Sequence, residues 1–495
     1  MRRNYIVNAA YYTAMPFIRN GLAFITLPIL TSFLTPADYG MVGLITIVSS
    51  FGVFGFCGVG NACYRYYFKY KDSPDPLNLF FSTTLIFVLL SGAVYLLLLF
   101  LAYPYLNGLL FKNRLDFIWL LLGFLQVTFN YLGMTNQYVF QNRHEGRRWF
   151  LNEGLFTGIY VLLSLVLVLV TPLRFEALIV AGLAAEVVKT LVSFVPLRGL
   201  YSARFSRAML REALAYSWPQ VPAGIIGFGY TYLDRIIMSR VQGLTQVGVL
   251  DMSARLASTV KMATDGVNGV FSPKTLELLK EGTEEAGRTL AEIGLKVLTV
   301  VLSVSLLVML FSKELVILLL KGNFRAVIYV VPLYIYAQIF GALGMLAYWL
   351  IYYHKEKTWL QMPILLTGLV AGTVSNLLLI PRYGLMGAAA AMFLTSGIVQ
   401  TTQFYIGLKC TPVPFNLGKI KALFGALIAE TALLYFLYSL DLFWPVEIGI
   451  KILMLAAFVG LCFTLKTLTL CDVTDSAGLL VDKVKGMRLF RPRSG

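Results

Sequence analysis

An apolar run of about twenty residues, bounded by polar, proline or glycine breaks, recurs fourteen times along this chain. Twenty helical residues rise roughly 30 Å, the thickness of a bilayer's hydrocarbon core, where every backbone polar group must be satisfied within the protein. The runs lie near 9–33, 38–62, 79–102, 115–140, 151–171, 175–196, 212–238, 244–268, 289–311, 326–352, 360–380, 384–408, 420–440 and 446–468. Such a pattern implies an all-α integral membrane protein. Composition agrees: of 495 residues, 58% are hydrophobic and 13% charged, where a soluble domain has about half and about a quarter. Arg2 and Arg3 open the chain as in a signal peptide. The run that follows is too long for one, contains Arg19 and lacks a small-residue cleavage site, so it reads as a retained span.

Charge orients the spans. With the N-terminus placed in the cytoplasm, about 26 of the 41 Lys and Arg residues fall on the cytoplasmic side and about 10 outside. The inner set includes Arg65, Lys69, Lys71, Arg143, Arg147, Arg148, Arg198, Arg204, Arg207 and Arg211. Both termini are therefore expected in the cytoplasm, in a cytoplasmic or inner membrane. The net charge of +16 is mostly this asymmetry, and it suits an anionic inner leaflet. A nucleic-acid partner is the poorer reading, since no basic soluble domain exists to bind one. The segments near 197–212 and 270–290 read as amphipathic helices lying on the membrane surface.

Metal and redox chemistry find little footing. Cys57, Cys63, Cys410, Cys462 and Cys471 show no paired spacing. The two histidines, His144 and His354, leave little room for a metal or catalytic centre, and no cofactor is implied. They mark a repeat instead. His144 and Trp149 match His354 and Trp359 at an offset of 210, and the following runs end at Pro172 and Pro381, an offset of 209. Leu34, Thr35 and Gly40 match Leu244, Thr245 and Gly248 at offsets of 210 and 208. Six spans separate the copies, an even number, so both halves enter the membrane in the same direction. The expected layout is two six-helix lobes, 1–200 and 201–410, two further helices at 411–470 and a cytoplasmic tail at 471–495. Two lobes around a shared cavity suit alternating access by a transporter.

Charge inside spans is costly and normally faces a bundle interior or a water-filled cavity. Arg19 lies about ten residues into the first span, roughly 15 Å deep. Asn8, Tyr12, Arg19 and Thr26 fall on one helical face at spacings of four, seven and seven, which would look inward. The eighth span carries Asp251, Ser253, Arg255, Ser258, Thr259, Lys261, Thr264, Asp265 and Asn268 and cannot face lipid. Asp251 with Arg255, and Lys261 with Asp265, are four apart and could pair along the helix. Glu186 and Lys189, three apart, read as a local pair, while Glu292, Lys296 and Glu430 stay unassigned. Pro219, Pro222, Gly224, Gly227 and Gly229 break the seventh span, and Pro16, Gly21 and Pro28 break its counterpart, the first. Breakers at corresponding positions of two halves point to a transport site. Arg19, Arg255 and Lys261 make a cationic set suited to an anionic substrate, because a guanidinium meets phosphate at two points. Asp234 and Asp265 are the acids in or near this route and the candidates for coupling to H+ or Na+.

The passage Leu34-Thr35-Pro36-Ala37-Asp38-Tyr39-Gly40, followed by Gly58, Asn61, Arg65 and Tyr66, resembles the polysaccharide flippases. These belong to the multidrug/oligosaccharidyl-lipid/polysaccharide exporter superfamily, and the six-plus-six repeat with two extra helices is similar over the whole chain. The resemblance implies a V-shaped pair of lobes and translocation of an undecaprenyl-pyrophosphate-linked oligosaccharide through a cationic cavity. Arg19 falls where the family carries a cavity arginine. Membrane lipids and polysaccharide-assembly proteins are the implied partners, and a transporter rather than an enzyme is the implied class. A multidrug exporter of the same fold is the alternative, which the cationic set opposes. A polytopic glycan polymerase or ligase would need a large outer loop that this chain lacks.

Overall fold

The computed structural model describes residues 2–440 and 442–468, which are helical with no strand among them. The tail expected at 471–495 lies outside the described residues. The first seven helices are α1 (Arg2–Phe33), α2 (Pro36–Phe51), α3 (Val59–Tyr70), α4 (Pro74–Leu110), α5 (Phe117–Asn142), α6 (Gly146–Val170) and α7 (Phe175–Phe194). Next come α8 (Arg207–Ser217), α9 (Val221–Val241), α10 (Leu244–Glu281), α11 (Glu284–Leu310), α12 (Ser312–Leu319) and α13 (Val327–Tyr352). The chain closes with α14 (Gln361–Cys410), α15 (Leu417–Ser439) and α16 (Trp444–Thr464).

Eleven described helical segments are long and apolar enough to cross a membrane, which makes this a multi-pass membrane protein. The seventh and eighth expected spans are present as α9 and α10, but their polar and charged residues keep them out of that set. The eleventh and twelfth share α14, which is interrupted at Gly384, where φ is +57° and ψ is −126°. Side chains rarely tolerate that backbone, and a Cβ there would also lie 2.3 Å from Nε2 of Gln242. Pro381, just before the break, removes a helical donor, so the two spans meet where sequence placed their boundary.

The segment at 270–290 departs from the expected surface helix. α10 runs straight through to Glu281, and α11 begins at Glu284 after a turn capped by Thr283, whose side chain accepts from the Ala286 N–H. The 38 residues of α10 reach roughly 57 Å, far more than a bilayer core, so its charged end is a continuation of the helix. The segment at 197–212 does contribute a short helix, α8, preceded by a 3-10 turn over Val195–Leu200.

By contact the chain divides into two compact units, one of 1–253, 314–330 and 365–394, the other of 254–313, 331–364 and 395–495. In the first, the Leu34–Gly40 passage has a physical explanation. Thr35 is the N-cap of α2, Pro36 occupies its first turn, and the Asp38 carboxylate accepts from the Thr35 N–H at 2.7 Å. Asp38 also pairs with Arg174, at the start of α7, at 3.2 Å. Gly40 and its repeat counterpart Gly248 lie against each other. A Cβ on Gly40 would fall 2.0 Å from the Leu244 carbonyl oxygen, and one on Gly248 would fall 1.7 Å from that of Pro36. The contact is reciprocal, and backbone meets backbone, so only glycine fits at either position.

In the second unit α16 is tied to its neighbours by buried charge. Glu447 lies 2.6 Å from Lys313 and 2.8 Å from Lys451, which is fully buried. Tyr336 of α13 bonds Thr431 of α15 at 2.7 Å. The last two helices are thus packed into this unit through polar contacts that their apolar sequences do not announce.

Candidate functional site

In the first unit, one cluster of buried charge centres on Arg235 of α9. Its Nε donates to Asp251 Oδ1 at 2.7 Å, and its Nη1 donates to both carboxylate oxygens of Asp234 at 2.9 and 3.0 Å. The side chains of Asp234, Arg235 and Asp251 are 7%, 9% and 17% exposed, so one guanidinium serves two carboxylates almost out of solvent. α2 closes over the far side: a Cβ on Gly43 would lie 1.9 Å from Asp251 Oδ2. This corrects the sequence-based pairing of Asp251 with Arg255. The α9–α10 hairpin turns at Gln242 and Gly243 and brings Arg235 onto Asp251 from sixteen residues away, a contact that one-turn spacing along a single helix cannot reveal.

The remainder of α10 belongs to the second unit. Arg255, Ser258, Lys261 and Asp265 recur every three or four residues on an exposed side, while Leu256, Ala257, Val260 and Phe271 are buried. The polarity of the helix is therefore one-sided. Lys261 and Asp265 form the expected pair at 2.9 Å, with side chains 58% and 60% exposed. At that exposure the pair contributes little to stability. The charges that sequence grouped as one set thus lie in different settings, Asp234 buried against Arg235, and Arg255, Lys261 and Asp265 on an exposed helix face.

Arg19 is exposed on α1 and has no ion-pair or hydrogen-bond partner among the described residues. The stripe drawn through it divides. Asn8 Nδ2 donates to the His144 carbonyl at 2.6 Å and its Oδ1 accepts from the Gly146 N–H at 3.2 Å, which fastens α1 to the start of α6. Tyr12 packs edge-on against Trp149, and Thr26 is buried with its hydroxyl on the Ala23 carbonyl. Only Arg19 stays open, two turns beyond the anchored end. His144 and His354 sit in turns before helical segments, as the repeat implies, and His354 Nε2 lies 2.9 Å from Thr411 Oγ1.

Two further polar clusters lie in the first unit. Glu186 and Lys189 of α7 pair at 2.7 Å, as their spacing suggests, and Glu153 of α6 joins them at 3.8 Å. Glu153 was missed because its partner is on another helix. Outside the spans, α3 and α8 are latched together. Glu212 accepts from Tyr70 Oη at 2.6 Å and pairs with Lys69, Arg65 lies 4.5 Å over the Tyr216 ring, and Tyr66 meets the same ring edge-on. Burial works against ionisation of Glu212, but the hydrogen bonds from Lys69 and Tyr70 outweigh it and hold its carboxyl below the usual glutamate range.

The fold and these sites define a class, the multi-pass membrane proteins built on an all-helical bundle. The lipid II flippase MurJ in its inward closed conformation is similar over 92% of this chain and 98% of its own, with TM-score 0.68 and 12% identity. An inward-facing multidrug resistance MATE family transporter of the MOP superfamily is similar over 80% of this chain and 95% of its own, with TM-score 0.53 and 14% identity. At such identities the likeness is one of fold. A family model described as polysaccharide biosynthesis protein matches residues 6–273, just over half of the chain, and the chain belongs to that family. No curated protein matches the sequence.

Proposed function

We propose that the protein is a flippase that carries an undecaprenyl-pyrophosphate-linked oligosaccharide across the cytoplasmic membrane by alternating access, for polysaccharide assembly. Family membership supports the pathway, and the fold shared with a lipid II flippase supports the reaction class. The observation that carries the substrate reading is Arg19. A guanidinium within a membrane span normally has a carboxylate beside it, because an unpaired charge there costs several kcal/mol. Arg19 has none among the described residues and stays exposed, which is the state of a group that awaits an anion. Arg255 and Lys261, on the exposed face of α10, supply further cationic groups for pyrophosphate or acidic sugars.

In this reading fourteen helices cross the membrane, the lobes are the repeats 1–200 and 201–410, and both termini face the cytoplasm. The reciprocal packing of Gly40 on Gly248 supports a two-fold relation between the halves. Asp234 and Asp265 are the acids available for coupling to H+ or Na+. Their carboxylates are engaged by Arg235 and Lys261, so an ion can act there only by competing with a salt bridge.

The test is export by Arg19→Ala in cells whose surface polysaccharide depends on this protein. Export should be lost while folded protein stays at its normal level, since no described contact is removed. Arg19→Lys should restore part of it, keeping the charge without the planar fork. Wild-type export by Arg19→Ala would overturn the cationic-cavity reading.

A further inference from the structure

The interface of α5, α6 and α7 buries charge that the proposed route does not use. Lys189 and Glu186 are each 4% exposed in their side chains, and Nζ lies 2.7 Å from Glu186 Oε2. Asn130 donates to the other oxygen of Glu186 at 2.7 Å. Glu153 is the additional acid, 3.8 Å from Nζ and 17% exposed. The three groups together carry one negative charge in excess.

Gln137 of α5 supplies an independent observation. It is 4% exposed, and its Nε2 donates to Glu153 Oε1 at 3.1 Å. Its own Oε1 is buried with no hydrogen-bond partner. An orphaned carbonyl oxygen of this kind costs about 1–3 kcal/mol, and an ionised Glu153 has no proton to give it. We propose that Glu153 is a proton-binding site, in which a carboxylic acid and the Gln137 carboxamide form a cyclic pair. A proton taken from water onto Oε2 makes an O–H that donates to Gln137 Oε1, while Gln137 Nε2 keeps its bond to Glu153 Oε1. The same proton cancels the excess charge. Turning the amide over leads to the same result, because Gln137 Oε1 would then face Glu153 Oε1 and only a proton between them makes a bond.

The surrounding groups leave this assignment to Glu153. On α5, Tyr131 Oη accepts from the Gly60 N–H, and Tyr138 packs on Tyr64. On α1, Tyr11 meets Phe150, Tyr12 meets Trp149, and Arg19 makes no ion pair among the described residues. On α6 itself Arg148 is held by Glu145, and on α7 Glu186 and Lys189 are matched to each other. Glu153 is also the most exposed member of the cluster, which gives a proton a way in. It lies seven residues into α6 from Gly146, roughly 10 Å along the helix. Use of this proton to drive transport rests on the flippase reading, but the binding of the proton does not.

The test is infrared difference spectroscopy of the purified full-length protein between acidic and alkaline buffers. A carboxylic-acid carbonyl band that appears on acidification, shifts in D2O and is lost in Glu153→Gln, but kept in Glu186→Gln, is the expected result. Gln137→Leu should keep that band and move it to higher frequency, because the acid loses its acceptor. If Glu153→Gln does not accumulate, the Gln137→Leu band decides: a shifted band supports the pair and an unshifted band overturns it. No titrating acid band, or one lost only in Glu186→Gln, also overturns it. Export that ignores the proton gradient while the band persists would defeat coupling alone, and leave the site standing.

Discussion

Replacement of Arg235 by methionine removes the guanidinium that pairs with both Asp234 and Asp251. The buried set then goes from one excess negative charge to two, with the carboxylates left where a single guanidinium had bridged them at 2.7 to 3.0 Å. Removing one partner of a buried ion pair costs about 3–5 kcal/mol. Asp251, 17% exposed, can recover some hydration, whereas Asp234 at 7% cannot, and Gly43 leaves Asp251 no room to move toward α2. The loss should therefore lie near the lower end, about 3 kcal/mol. Asp251→Asn, by contrast, leaves Arg235 with Asp234 and brings the set to neutrality, at about 1–3 kcal/mol for the weakened hydrogen bond. Arg235→Met combined with Asp234→Asn and Asp251→Asn removes all three charges and should recover much of the loss, since apolar or neutral replacements of a whole buried cluster are often tolerated. The assay is the protein remaining in the monodisperse size-exclusion peak after heating in detergent. Arg235→Met should melt lowest, below Asp251→Asn and below the triple variant. An Arg235→Met protein as stable as Asp251→Asn would refute the view that one guanidinium holds both acids in place.

Three other outcomes are expected. Gly248→Leu should abolish folded protein rather than lower transport alone, by the same melting assay, because the added Cβ meets the Pro36 backbone and cannot be relieved by a side-chain rotation. The contact of α8 with α3 should weaken in acid. Glu212 has its folded-state value below the ordinary glutamate value of about 4.3, so the contact is at full strength above that value and is lost as pH falls through the depressed one. Hydrogen exchange of α8 should rise over that range, and Glu212→Gln should remove the dependence. Single cysteines at Asn113 and Ser206, in a chain cleared of its native cysteines, should differ in labelling by an impermeant thiol reagent in intact cells, Asn113 reacting and Ser206 protected. The opposite pattern would invert the orientation.

Sequence alone settled what a one-dimensional pattern can carry. Span length and hydropathy placed most of the membrane helices, and the break at Pro381 separated two that the backbone runs together. The pairs Lys261 with Asp265 and Glu186 with Lys189 were legible because one turn of a helix brings i+3 and i+4 onto the same face. The passage from Leu34 to Gly40 and its echo at Leu244 to Gly248 were visible as a repeat, but not why glycine was needed. That reason is the close approach of two helices more than 200 residues apart along the chain. Tertiary structure likewise gave Asp251 to Arg235 instead of Arg255, joined Glu153 and Gln137 to the α7 pair, and set Glu447 between Lys313 and Lys451. Apart from Glu447 with Lys451, which are one turn apart on α16, each of these contacts links different helices. In a chain whose spans are almost uniformly apolar, nothing in local spacing says which face of a helix meets which neighbour. That choice belongs to the packed bundle, where each buried polar group must find a partner or pay for its absence.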